Sequence, residues 1–438
     1  MRIMIKIDNT NIVDTDEKDN INNLISFFIM MFLVTVSFST FLSNFALYSA
    51  ITALLYSRAV GGSRPGFKYD VIYTAMLLFV AANIAGLFTS GLGLAKIGRV
   101  KNVMAFLAFF LAFEKGALLI DKLRMLFILQ TVNFVLLLTA ILSTALNLTD
   151  ILYFQDFVNW PSKYSGLFEV AITYGEFLVM MQCVSISVVL GAKDAFESVR
   201  SRGLFLALIA ANMFALVLTY SRGPWLVMTL TIGFILLLNQ YYKTLAAFAG
   251  IAVLSLMIII CPPVKNNAFL NELNARVMST LGGYSSGREV IYAVAFKMIA
   301  DHPLTGVGIG GVEKNYSDYV KRVEWAPAER KDMVYGHLHN LYLQVYAEAG
   351  ILGFASFMWL CALVLFALAS KALKRAAAFG PLERAYTQGA FCAFAAVMIM
   401  GLSEYNMFNN EISRILWFYA GTALASRPAE TDGSSKPD

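Results

Sequence analysis

Charge is what this chain has least of. Only 14% of its 438 residues are Asp, Glu, Lys or Arg, against 58% hydrophobic ones, and the mean hydropathy is +0.64. Soluble chains carry roughly 25% charged residues, so an ordinary soluble protein of two or three domains is excluded. Cysteine is sparse too. Cys183, Cys261, Cys361 and Cys392 lie in or beside apolar runs with no CxxC pair, which argues against a disulfide framework or a thiolate metal site. The excess of 34 Lys/Arg over 29 Asp/Glu is small, and nothing in it points to nucleic acid. Internal repeats, low-complexity tracts and heptads are missing. Met1 to Asn20 is polar and of mixed charge, and the apolar run after it lacks the basic flank and cleavage site of a removed signal peptide, so that run is expected to stay as a helix.

What the chain has in abundance is apolar runs of about the 20 residues that cross a bilayer. Six precede residue 200, at Leu24–Thr40, Phe41–Ser57, Val71–Thr89, Asn102–Ile120, Met125–Leu146 and Leu167–Leu190. Six follow, at Leu204–Tyr220, Pro224–Gln240, Thr244–Cys261, Ile351–Ala369, Arg384–Leu402 and Glu411–Ser426. The expected fold is therefore all-α: a polytopic integral membrane protein with about 12 transmembrane helices and one long extracytoplasmic helical loop. Its expected divisions are a cytoplasmic tail at 1–22, a transmembrane domain at 23–426 that includes a long loop at 262–348, and a disordered cytoplasmic tail at 427–438. An even number of spans puts both termini on one side. The connections on that side hold 19 Lys/Arg and the short connections opposite hold 6, so the positive-inside rule makes the termini cytoplasmic and turns the long loop outward.

Within the long loop, Asn266–Leu281 has apolar residues at helical spacing and reads as an amphipathic surface helix. A Gly/Ser link follows, then a second helix from Arg288 to about Ala300, which should stop before Pro303 because a proline ring disfavours helix at the preceding residue. Three places at the outer boundary could carry chemistry. Ser221-Arg222-Gly223 forms a tight turn between two runs, where an arginine is either an interfacial anchor beside Trp225 or a ligand for an anion. Arg288, after Gly287, opens a helix, where backbone N–H groups also favour anions. His337 and His339, two of only three histidines, precede the Asn340 helix that enters the membrane. Histidine is the side chain suited to take a proton near neutral pH. A metal reading would pair the two with Glu348, but fixed-spacing carboxylate and thiolate ligands are missing, so no metal is expected. The run Gly306-Val307-Gly308-Ile309-Gly310-Gly311 lacks the strand before and helix after that a dinucleotide fingerprint needs, and reads as a tight packed loop.

Together, His339-Asn340 followed by Gly350 and Gly353, Ser221-Arg222-Gly223 between two runs, and Arg288 followed by Asp301-His302-Pro303-Leu304 and Gly306-Val307-Gly308 resemble the O-antigen ligase and polymerase superfamily of bacterial envelope enzymes. The resemblance covers roughly Leu204–Ser426. Ser356 departs from the residues that ligases often have at its position. The resemblance implies transfer of a glycan from undecaprenyl diphosphate to an acceptor hydroxyl at the periplasmic face of the bacterial inner membrane. The acceptor would be lipid A core for a ligase, or a second lipid-linked repeat for a polymerase. In that chemistry His339 suits the general base and Arg222 and Arg288 the leaving diphosphate, with Asn340, Ser221 and His337 in support and no cofactor. Membrane lipids are the other expected partner, and the apolar carrier tail would lie between helices. A transporter is the competing class: Glu114, Lys115, Glu169, Glu176 and Glu404, in or near spans, could line a polar path.

Overall fold

A computed structural model of the protein describes residues 10–60, 71–89, 104–146, 164–260, 287–373 and 379–425, together with 271, 274, 275 and 278. The regular elements among the described residues are all helices, without a strand. The first nine helices are α1 (Thr10–Thr35), α2 (Thr40–Val60), α3 (Val71–Thr89), α4 (Phe106–Leu119), α5 (Lys122–Ala145), α6 (Ala171–Gly191), α7 (Val199–Leu218), α8 (Arg222–Leu238) and α9 (Tyr242–Ile260). Three follow outside the bundle, α10 (Arg288–Asp301), α11 (Gly311–Lys321) and the single turn α12 (Ala328–Lys331), and three return to it, α13 (Leu341–Leu373), α14 (Pro381–Met400) and α15 (Asn410–Ala425).

Among the described residues, each expected apolar run contains a helix. Four helices are long and apolar enough to cross a membrane, at Lys122–Ser143, Ala171–Gly191, Val199–Leu218 and Leu341–Leu373. Four shorter apolar helices lie at Asp19–Thr35, Val71–Gly86, Arg222–Leu238 and Tyr242–Met257. The protein is membrane-embedded, and length and apolarity single out these four of the expected spans. The first pair divides at Val36–Ser39 rather than at Thr40, and α1 begins at Thr10, within the stretch read as a tail. The expected surface helix is described only at 271, 274, 275 and 278, which are helical, and the Gly/Ser link and the C-terminal tail lie outside the described residues.

Helix α6 is the axis of the bundle. It is buried along most of its length, with Glu176, Gln182 and Ser185 turned to partners inside the bundle, and it packs mainly on α14 and also on α8 and α7. Side chains are short where backbones meet. A Cβ at Gly389 of α14 would come 2.5 Å from Val184 Cα, and one at Gly421 of α15 would come 2.5 Å from Phe109 O of α4. Small residues at such crossings allow the close packing on which membrane helices depend. Some polar groups inside pair with one another: Asn212 Nδ2 donates to Gln130 Oε1 at 2.7 Å and Gln130 Nε2 to Ser185 Oγ at 2.9 Å. Several basic residues counted on the expected inner side are tied down there. Arg58 pairs with Glu114 at 2.5 Å, Lys122 with Glu383 at 2.6 Å, and Lys371 Nζ donates to Ala423 O at 2.5 Å.

The outer segment builds its own small core. Val290, Ile291, Val294 and Met298 of α10 meet Val312, Tyr316 and Val320 of α11. Helix α11 was not foreseen, although Val312, Tyr316, Tyr319 and Val320 stand at i, i+4, i+7 and i+8, the spacing of an amphipathic helix. Asp301 fastens the pair: it accepts from Tyr319 Oη at 2.9 Å and pairs with Arg322 at 2.5 Å, and these bonds, Arg322's first, hold its carboxyl below the usual range.

Candidate functional site

The site is organised by the start of α13. Asn340 is the cap: its Oδ1 accepts from the backbone N–H of Tyr342 and of Leu343, each at 3.0 Å, satisfying donors that a helix start leaves open. Its Nδ2 donates to Leu402 O at 2.9 Å, Leu341 N donates to Gly401 O at 2.7 Å, and Tyr342 Oη donates to Met398 O at 2.7 Å. The cap is thus also a clamp that fixes the end of α14 and the turn beyond it, where Glu404 sits. His339 precedes the cap with φ 47°, a left-handed conformation rare for a residue with a side chain. Strained backbone of this kind gathers at functional sites.

Glu404 joins two of the expected residues. Its Oε1 pairs with Arg288 Nη2 at 2.6 Å and its Oε2 lies 3.3 Å from His339 Nδ1. The carboxylate is 12% exposed while Arg288 and His339 are 34% and 29% exposed, so the buried acid holds two partners that reach solvent. Tyr292, one turn along α10 from Arg288, directs its hydroxyl at the backbone oxygens of Leu402 and His339, at 3.4 and 3.5 Å.

His337 is packed into the same cluster. Its ring lies 4.3 Å from that of His339 and stacks on Tyr405 at 6.1 Å, and burial, with His339 adding to it, pushes its pKa below the ordinary 6.5. His302 is exposed at the end of α10, away from this cluster. Arg330 enters from α12: it donates to Tyr335 Oη at 3.0 Å, and Tyr335 packs edge-on to His339 at 6.0 Å. A Cβ at Gly287, whose φ is 74°, would strike the Arg330 guanidinium.

Arg222 is the first residue of α8, as Arg288 is of α10, so each opens a helix. Arg222 is exposed. Its neighbour Gly223 is beside the same turn, with a Cβ there 3.9 Å from Ser403 Oγ, one residue before the Glu404 that holds Arg288. Ser221 is buried, and its hydroxyl donates to Thr219 O at 3.1 Å, which shapes the turn.

The glycine run supports this arrangement from below. Helix α13 breaks at Gly350, whose φ 63° and ψ −169° belong to a region essentially reserved for glycine. The carbonyls released there are recovered by the run: Val307 N donates to Ala347 O at 2.8 Å and Gly308 N to Glu348 O at 2.9 Å. Glu348 itself accepts from Gly310 N at 2.8 Å. It is therefore committed to the loop, and Glu404 is the carboxylate that stands beside the two histidines. One donor atom from each of His337, His339 and Glu404 lies within 4.8 Å of the others. Two imidazoles and a carboxylate are a set that zinc uses, but here the carboxylate already carries a guanidinium, whose charge opposes a cation at the same oxygens.

Sequence reasoning missed Glu404 as a site residue, naming it only among acids near spans. It lies on a different helix turn 65 positions beyond His339, so no local spacing reveals it. Tyr405 was missed for the same reason, and Arg330 because its tie to the site runs through Tyr335.

The fold and this cluster define a helical membrane protein whose imidazole, carboxylate and guanidinium groups meet where a membrane helix begins. Residues 204–358, about a third of the chain, match the model of the O-antigen ligase family, a match that supports membership of the O-antigen ligase superfamily. The match contains Arg222, Arg288, His339 and Asn340 and ends before Glu404. No curated protein matches the chain.

Proposed function

We propose that the protein is a membrane glycosyltransferase that moves a glycan from undecaprenyl diphosphate to an acceptor hydroxyl at the periplasmic face of the bacterial inner membrane. The observation that carries this reading is Glu404, one carboxylate holding Arg288 by one oxygen and facing His339 with the other. With Nδ1–H given to Glu404, the imidazole keeps its Nε2 lone pair for the acceptor, the arrangement by which a carboxylate orients a histidine base. The acceptor oxygen then bonds to the anomeric carbon, the bond from that carbon to the diphosphate oxygen breaks, and the acceptor proton passes to His339. The leaving diphosphate gathers negative charge, which Arg222 and Arg288 hold in charge-assisted, forked hydrogen bonds supplemented by two helix N-termini. Arginines at that position perform the neutralisation that other phosphate chemistry assigns to a metal, so the reaction runs without one. On the expected topology of about twelve spans with both termini cytoplasmic, this site faces outside, and the carrier's tail lies between helices.

The ligase reading, with lipid A core as acceptor, is preferred on the spacing from His339-Asn340 to Gly350 and Gly353. A polymerase would use the same residues with a second lipid-linked repeat as acceptor. Purified protein supplied with a lipid-linked repeat, with and without lipid A core, separates them: product only when core is present supports the ligase, polymer from the repeat alone supports the polymerase, and no transfer under either condition rejects both. Three of the acids that favoured a transporter have local partners, Glu114 on Arg58, Glu176 on Asn406 at 3.1 Å and Glu404 on Arg288, which supports the enzyme reading.

A further inference from the structure

A second polar hollow is lined in part by Asn409 and Glu411, which follow the turn that carries Glu404. It is a cavity of about 260 Å³ between the α1–α2 turn, the chain leading into α6, and the start of α15, close to the lower end of the ~300–1,000 Å³ range usual for small-molecule sites. Its walls alternate in character. Its lining residues include the aromatic Phe38 and Phe168, the hydroxyl and amide residues Ser37, Thr40, Thr173 and Asn409, and the acidic Glu169 and Glu411; Asn409 Nδ2 donates to Thr173 Oγ1 and Asn133 Nδ2 to Ser37 Oγ. Glu411 is already engaged: it accepts from Thr40 Oγ1, and the buried Arg414, which bonds Ser43 Oγ at 2.6 Å, is in electrostatic reach of it. Glu169 is exposed on the other wall.

We propose that this cavity binds a saccharide unit, favouring one with a free amino group, and that it is the glycan subsite of the transfer centre; the second clause rests on the function proposed above. Sugar rings present apolar C–H faces and a rim of hydroxyls, which matches two phenyl rings among donors and acceptors. The carboxylates set the sign. An ammonium group is attracted by Glu169 and a phosphate is repelled, so the cavity does not compete with the arginines for the diphosphate. The chain order connects the two places. Asn409 and Glu411 follow Glu404 by five and seven positions, and the stretch between is held to α6 by Asn406 on Glu176 at 3.1 Å and Asn409 on Thr173 at 3.4 Å.

The test uses the purified full chain in detergent and three soluble probes: a glucosamine oligosaccharide, its N-acetylated counterpart and inorganic diphosphate. Ligand-observed magnetic resonance should detect both saccharides, the amino form more tightly. Glu169→Gln should weaken the amino form about tenfold, as loss of a hydrogen bond to a charged group does, and Thr173→Val should weaken both, while diphosphate binding stays as in the parent. Where transfer is measurable, a raised KM for the acceptor in Glu169→Gln assigns the cavity to the acceptor glycan, and a raised KM for the donor assigns it to the carrier-linked glycan. Saccharide binding unchanged in both variants, or absent from the parent, overturns the proposal. Binding without any transfer in the parent leaves the cavity standing and rejects the function proposed for the site.

Discussion

Arg288, Glu404 and His339 form one unit of charge. Removing the acid should therefore disturb two functions together. Glu404→Gln keeps the shape but loses the charge that orients His339 and restrains Arg288, and transfer should fall by about 10²-fold or more with the protein still folded, as loss of the orienting carboxylate does in other histidine-base systems. A single-turnover assay measures it. Arg222→Lys and Arg288→Lys keep charge but lose the fork, so both should depress transfer strongly in the same assay; full activity in both removes the diphosphate role. His337 makes a prediction about pH. Its pKa is depressed by burial, so the folded state disfavours its proton: the neutral form contributes its full stability above about pH 6.5, and that stability is lost as pH falls through the lower folded value. His337→Gln should flatten this acid-side loss in a thermal-shift series across pH. An unchanged acid slope would contradict the burial of this ring.

At the scale of the helix, the break at Gly350 aims the start of α13. Gly350→Ala puts a Cβ against the Leu304 carbonyl at a backbone conformation closed to other residues, with a cost of at least about 1–3 kcal/mol. The melting temperature should drop, and activity should fall because Asn340 and His339 are displaced along with the helix. Wild-type stability would show that the break is not required. This scale also separates what the sequence reveals from what it hides. Apolar length made all the helices of the bundle legible, and Pro303 correctly ended α10 at Asp301, because both effects are local. Arg288 and His339 could be singled out because strong polar groups at a membrane boundary are conspicuous. Their meeting through Glu404 could not, since that contact depends on how the turn after α14 docks on Asn340. Glu348, near His339 in sequence, was the wrong carboxylate for the metal reading because its side chain faces the glycine loop instead.

For the whole molecule, sidedness can be read by labelling. Asp318 of α11 and Lys243 at the start of α9 are both exposed and stand on opposite sides of the proposed topology, while Cys183, Cys361 and Cys392 are buried. In a Cys261→Ser background, an impermeant thiol reagent added to intact cells with opened outer membranes should label Asp318→Cys and spare Lys243→Cys; the reverse pattern would invert the protein. The account as a whole rests on His339 taking the acceptor's proton. Its most direct measurement is transfer by the purified protein from lipid-linked glycan to acceptor, with carrier binding measured alongside. His339→Ala should lower turnover by about 10²- to 10⁴-fold with carrier affinity nearly unchanged, and His337→Ala should cost much less. Near-normal turnover in His339→Ala, or lost carrier binding in place of lost turnover, would contradict it.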